Sequence, residues 1–373
     1  MVELSVMPGA CVYVCTRLQI RKARLFPPAY YERLLQMSLP EMVRTIGEDE
    51  RFRHEVYDRY RTPSDLRRVE YALTANLARE YRTVLRMTPG TLHQLTSHYL
   101  HRWDIVNVMA VLRGKRHKLD RDTIAETLIP AGELDRAWLD RLVAADDLDR
   151  VVEELHGWSL YAQVRTCTCR EMPRGEFARV EDRLYHQYYR DLLEDAARGV
   201  PGGRVFGRYL RFEIDIMNTR NLFRLRAGSP VPDIRSAMVE GGNIPIDEFV
   251  RIAGIEDQET FIDEFAQTEL LPMATRAMRK LRRDPGISPE QVAELLWSRW
   301  QEHRTTVHVV EIAVTELRLE EMDRLAAIHR FSVLPVLSYL ERKRVEIANL
   351  GACVRGRQFG IPNERIARYL VVR

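Results

Sequence analysis

WDIVNVMAVLRGK, residues Trp103–Lys115, places one Asn inside an apolar helical run and a Gly seven residues later, at Asn107 and Gly114. The pattern returns in MNTRNLFRLRAGS, Met217–Ser229, with Asn221 and Gly228, and in VEIANLGACVRGRQ, Val345–Gln358, with Asn349 and Gly356. A polar residue precedes each Asn by three positions: Asp104, Asn218 and Glu346. Successive copies lie 114 and 128 residues apart. A repeat of that period makes the chain a set of related helical units, and it governs the reading of everything else.

Seven residues is close to two helical turns, so Asn and Gly share one stripe of the helix. The run Ile105–Leu112 is otherwise apolar on all sides, which reads as a helix buried all round. A carboxamide there needs hydrogen-bond partners, since stranding it costs roughly 1–3 kcal/mol. The Gly reads as the left-handed C′ residue that ends the helix. Asn and Gly together are thus expected to be a packing and register device rather than a ligand site.

Helical spacing dominates elsewhere. Apolar residues fall at three- and four-residue steps through Leu92–Ala110, Val69–Leu85, Val180–Leu193, Phe261–Leu281 and Val292–Leu319. Ser64-Asp65, Pro89, Pro130, Ser288-Pro289 and Pro362-Asn363 signpost helix starts. Each unit opens with a helical hairpin, at Tyr30–Ile46, Ala137–Leu155 and Ile246–Phe265. No alternating strand stands out. The expected fold is all-α, with helical units at 1–118, 119–230 and 231–373.

The 373 residues are 45% hydrophobic, enough for sizeable cores, and the 57 basic and 54 acidic side chains leave a net charge of +3. Near-balance argues against a dedicated nucleic-acid binder, despite the basic runs Arg21-Lys22-Arg24 and Arg113–Lys118. Only five of the basic residues are lysine, a bias carrying little functional weight. Cys11, Cys15, Cys167, Cys169 and Cys353 form no Cys-x-x-Cys, which fits reduced thiols in a cytosolic protein. Cys11 and Cys15 are expected on one face of the first helix. No signal peptide opens the chain and no apolar run approaches the ~18 residues of a membrane span, so the chain reads as soluble by itself.

Little in the chain points to chemistry. The Gly-rich stretch Gly199–Gly207 lacks the Lys-Ser/Thr of a phosphate-binding loop and reads as an inter-helix loop. His98 with His101, or His303 with His308, share helix faces but have no ligand at zinc-site spacing. No nucleophile elbow appears. Catalytic residues, cofactor and metal are all expected to be absent.

Tyr13–Met42 (YVCTRLQIRKARLFPPAYYERLLQMSLPEM), together with Asn76–Tyr81 (NLAREY) and Trp103–Lys115, resembles the C subunit of archaeal-type (A/V-type) ATP synthases, a family similar to the d subunit of vacuolar ATPases. FEIDIMNTRNLFRLRAG and IANLGACVRGR follow in the matching order, and the resemblance covers essentially the whole chain, least clearly from Gly241 to Arg304. It implies an all-helical, funnel-shaped molecule of three pseudo-symmetric units. It implies a non-catalytic rotor part at the cytoplasmic face of the membrane, one copy per complex. Its partners would be the D and F subunits of the central stalk and the membrane proteolipid ring, with anionic lipid headgroups near its arginines. The other readings are a helical scaffold unrelated to rotary machines, a nucleic-acid binder, and an enzyme built on Gly199–Gly207.

Overall fold

The computed structural model describes residues 8–58, 65–165, 176–226, 234–257 and 305–371, with isolated positions between 259 and 291. Helices and their connections account for all of these, and no strand occurs among the described residues. By contacts the chain divides into two compact units, one of residues 1–172 with 329–373 and one of residues 173–328.

The first unit begins with α1 (Pro8–Ala23), a helical hairpin of α2 (Pro28–Leu34) and α3 (Leu39–Glu48), and the short α4 (Arg53–Asp58). Pro28 supplies the preset φ that suits a first helical turn. Ser38 and Glu41 cap α3 reciprocally, each satisfying a backbone N–H that the helix start would orphan. The chain continues through α5 (Asp65–Met87), α6 (Gly90–Leu100) and α7 (Arg102–Arg116). It then enters α8 (Arg121–Thr127), a second hairpin of α9 (Arg136–Ala144) and α10 (Leu148–Glu154), and the one-turn α11 (Tyr161–Val164). Asp135 and Asp147 cap the two helices of that hairpin.

The same unit is completed by the chain's last helices, α16 (Leu334–Gln358) and α17 (Asn363–Ala367). α16 is its axis. It packs against α1 and α5 and buries residues on every side, among them Leu340, Leu350, Cys353 and Val354. Around its second half lies one core that joins Leu34, Met42, Ile46, Phe52, Val69 and Ile366. Each fully buried side chain of that size contributes roughly 1.5–3 kcal/mol. The second unit carries α12 (Glu176–Ala197), α13 (Gly203–Arg226), α14 (Ile246–Ala253) and α15 (Thr305–Ile328), with α13 packed on both α12 and α15. Between α13 and α15 the buried Arg318 donates to Glu213 at 2.6 Å.

Three local expectations change. The periodic run Leu92–Ala110 is two helices, because His101 N–H bonds the carbonyl of His98 and tightens the chain into a three-residue turn. Pro130 starts no helix; residues 128–135 form the loop before α9. Gly199–Gly207 is only half loop: Gly199 and Gly202 take positive φ, and Gly203 already opens α13. Phe261–Leu281, apart from isolated positions, and the first half of Val292–Leu319 lie outside the described residues, as do Cys167, Cys169 and His303. Cys11 and Cys15 lie one turn apart on α1, and burial pushes Cys15 up to about 11 and Cys353 up to about 12, which keeps both thiols protonated and inert.

Candidate functional site: asparagine clamps and their acids

Asn107 lies on α7 with no exposed surface. Its Nδ2 donates to the carbonyl of Ile129 at 2.7 Å, and Ile129 N–H returns a bond to its Oδ1 at 2.9 Å. The side-chain amide thus substitutes for a peptide group and satisfies both polar atoms of one loop residue, as a paired strand would. Asn349 on α16 does the same for Val371, at 2.8 and 3.0 Å.

In the second unit this two-bond geometry belongs to Asn218, which exchanges bonds of 2.9 and 2.8 Å with Val239. Asn221, three residues on, is half-buried and makes a single donation to Ala237 O at 2.7 Å. Geometry therefore aligns Asn107, Asn218 and Asn349, spaced 111 and 131 residues apart. A signal for this register was present in the sequence. With Asn218 in place, the residue three before each Asn is an acid: Asp104, Asp215, Glu346. The Asn-to-Gly spacing favours Asn221, and Gly228 lies outside the described residues.

The acids do equivalent work. Asp104 is fully buried and accepts the N–H groups of Glu133 and Leu134 at 2.7 and 3.0 Å. Asp215 accepts Ile244 N–H at 3.1 Å and Asn243 Nδ2 at 2.8 Å. Glu346 accepts Phe26 N–H at 2.9 Å. Leu134, Ile244 and Phe26 each stand two residues before a helical hairpin or its first helix, namely α9, α14 and α2. The order is cyclic: the acid of the first copy holds the second hairpin, that of the second holds α14, and that of the last returns to the first. Gly132 and Gly242 precede the accepted N–H groups and lie so close to the Asp104 and Asp215 carboxylates that a Cβ would collide with them.

Gly114 and Gly356 are not helix terminators. α7 and α16 each run two residues further, and the left-handed residues are Lys118 and Gly360, with φ of 55° and 65°. Both glycines serve close approach instead. A Cβ at Gly114 would lie 2.6 Å from Ile124 Cγ1, and one at Gly356 2.5 Å from Ile366 Cδ1. Nor is Ile105–Leu112 buried all round, since Val106 is exposed.

Basic side chains complete the frame. Lys115 Nζ donates to the carbonyls of Val143 and Ala145 at the end of α9, where the helix dipole favours a cation. Arg357, at the same place in the last copy, donates to Leu35 O just beyond α2. In the other basic run Arg21 pairs with Glu80 at 2.7 Å and Lys22 donates to Ser338 Oγ at 2.8 Å.

Electrostatically the first and last acids differ. Burial pushes Asp104 up to about 7, outweighing its two N–H donors. Glu346 instead receives Lys343 Nζ at 2.6 Å and Arg51 Nη1 at 3.2 Å, and burial pulls Lys343 down. His101, Asp104 and Glu133 offer ligand atoms within 4.8 Å of one another. Each Asp104 oxygen already accepts one backbone N–H, and His101 stands three residues before Asp104 as Lys343 stands before Glu346.

The fold and these clamps define an all-α protein whose repeated buried polar groups hold backbone in place. The chain matches the family model for the ATP synthase (C/AC39) subunit over residues 14–369. It is 30% identical to the C subunit of the A-type ATP synthase of Archaeoglobus fulgidus, over 98% of this chain and 97% of that one. It is also 30% identical to the corresponding protein of Methanosarcina mazei, over 96% and 92%, and 28% to that of Haloquadratum walsbyi, over 97% and 99%. The chain belongs to the ATP synthase (C/AC39) subunit family: it is an accessory subunit of a rotary ATP synthase, a peripheral part of a membrane-associated complex. Among the described residues no helix is long and apolar enough to cross a membrane.

Proposed function

We propose that this chain is the non-catalytic rotor component that joins the D and F subunits of the central stalk to the membrane proteolipid ring, so that ATP synthesis or hydrolysis is linked to proton or sodium transport. The observation that carries the reading is the family match across nearly the whole chain. The cyclic order of the acids supports its mechanical side. In a chain of three units, at 1–118, 119–230 and 231–373, each acid ties its own helix to the next hairpin, and the last tie returns to the first. Three units of this kind suit a funnel with a socket for one stalk. Close-packed helices resist shear because protein interiors have low compressibility, which is what handing torque from a narrow stalk to a wider ring demands. Arginines near the membrane would add roughly 1 kcal/mol each toward anionic headgroups. The chain would enter the complex as one copy, at the cytoplasmic face.

The test compares ATP hydrolysis with ion pumping in membranes reconstituted with and without the chain. Hydrolysis that continues while pumping is lost supports the reading; pumping at normal coupling in its absence overturns it in favour of a scaffold outside the rotary path.

A further inference from the structure

α7 and α16 end in the same kind of turn. Leu119 N–H returns to Gly114 O at 2.9 Å and Ile361 N–H to Gly356 O at 2.8 Å, across the left-handed residues Lys118 and Gly360. This closure satisfies carbonyls that the helix ends would orphan. Both turns lie at one end of the first unit, because the start of α5 reaches the helix beside each. Arg67 pairs with Glu126 of α8 at 3.4 Å, and Glu70, one turn on, accepts Arg355 of α16 at 3.0 Å.

Two kinds of side chain project there. Phe359 is 71% exposed, the most of any large apolar side chain among the described residues, and Leu119 is 49% exposed. On the same turns and on α17, Arg113, Arg116, Lys118, Arg365 and Arg368 are exposed, against the exposed acids Asp122 and Glu364. Asp120 is exposed as well, but it turns back to cap α8. Lys118, Arg365 and Arg368 pair with no carboxylate among the described residues.

Lys118 adds an independent observation. It is the one non-glycine residue with positive φ among the described residues, at 55°. A Cβ is disfavoured in that conformation, and the last copy makes the same turn with Gly360. The first copy thus keeps a cation at a strained position where its exposed ammonium makes no ion pair within the fold. Strain held without a local return points to a contact outside the chain.

We propose that this end of the first unit docks on an anionic lipid surface, with Phe359 and Leu119 entering the headgroup layer and Lys118, Arg365 and Arg368 lying among its phosphates. A headgroup layer answers both features, since it takes apolar tips into the acyl boundary and draws cations to its charge. A soluble acidic chain would satisfy the cations and leave the Phe359 ring in water. The proposal rests on the rotor reading only for the chain's place beside the membrane, and it adds a lipid contact to those with stalk and ring.

The experiment floats the full chain with vesicles of phosphatidylglycerol mixed with phosphatidylcholine, and with vesicles of phosphatidylcholine alone. Binding is expected to the mixed vesicles alone and to weaken as salt rises. It should fall about fivefold in each of Arg365→Gln and Arg368→Gln, the worth of one cation at such a surface. Phe359→Ser, at a bare side chain, should lower it about tenfold. Lys118→Gly separates anchoring from structure: the thermal midpoint rises as the strain is relieved, while vesicle binding falls about fivefold. Vesicle binding unchanged in both Lys118→Gly and Phe359→Ser, or equal on the two kinds of vesicle, overturns the proposal. So does polyglutamate bound as tightly as the mixed vesicles and indifferent to Phe359→Ser, which assigns this end to an acidic protein surface. No retention by the mixed vesicles overturns it too and leaves the rotor reading intact, because that reading fails only if pumping stays coupled without the chain.

Discussion

Asp104 and Glu346 stand at the same place, three residues before a clamping Asn and 242 residues apart, and each accepts the N–H groups that lead into a helical hairpin. Their surroundings differ sharply. Asp104 is a buried carboxyl served by the backbone N–H groups of Glu133 and Leu134, and burial raises it to about 7. Glu346 is equally buried but sits between Lys343 and Arg51. One frame is therefore held in one copy by a carboxyl that resists ionisation and in another by an ionic cluster. What the repeat keeps is the hydrogen bond to the hairpin; the means of making a buried acid tolerable is local.

That contrast is broken most severely at Glu346. Glu346→Leu strands a buried ammonium and is expected to cost about 3–5 kcal/mol in denaturant unfolding. Adding Lys343→Met should recover much of the loss, because a matched apolar pair replaces an unmatched charge. No recovery would mean that the Phe26 bond, not the charge, dominates.

Asp104 sharpens it through pH. Its folded value of about 7 stands well above the ordinary carboxyl value of 3.8. Between the two the unfolded chain releases a proton that the folded chain keeps, so the contribution of this group is full below about pH 4 and is lost as pH rises toward 7. The expected weakening is of order 4 kcal/mol, from roughly 1.4 kcal/mol for each pH step between the two values. Comparing unfolding against pH for the unaltered chain and for Asp104→Asn isolates it; identical slopes would show that Asp104 ionises normally in the fold.

Smaller effects come from the amides. Asn107→Ala and Asn218→Ala each orphan a buried N–H and C=O, for about 2 kcal/mol. Asn221→Ala removes one bond from a half-buried side chain and should cost about half as much. Comparable to the single amide bond is Gly114→Ala, which forces the flexible end of Ile124 aside for roughly 1 kcal/mol and should be relieved by Ile124→Ala.

Much of this was legible in the sequence, for reasons that differ by element. Helices such as α5 and α12 follow from apolar spacing, and the hairpins at 30–46 and 137–155 from their short polar breaks, because these are local properties. Asn107 and Asn349 stood out because a carboxamide in an apolar run demands partners. The choice between Asn218 and Asn221 is not local. Both lie one turn apart on α13, and only the path of residues 237–244 decides which one meets a backbone N–H and C=O together. Gly114 and Gly356 misled for a similar reason. A glycine near a helix end serves equally as a left-handed cap or as room for a neighbour, and Ile124 and Ile366 come from the helices that follow. The basic end that bares Phe359 and Leu119 was out of reach of the sequence, since the start of α5 brings α8 and α16 together there.

Native-state hydrogen exchange at the amides of Ile129, Val239 and Val371 tests the repeated clamp most directly, because each of these N–H groups ends on one Asn Oδ1. All three should exchange slowly for loop amides, and each should be released by its own substitution: Ile129 by Asn107→Ala, Val239 by Asn218→Ala, Val371 by Asn349→Ala. Fast exchange at all three in the unaltered chain, or release of Val239 by Asn221→Ala and not by Asn218→Ala, would contradict a repeat that aligns Asn107, Asn218 and Asn349.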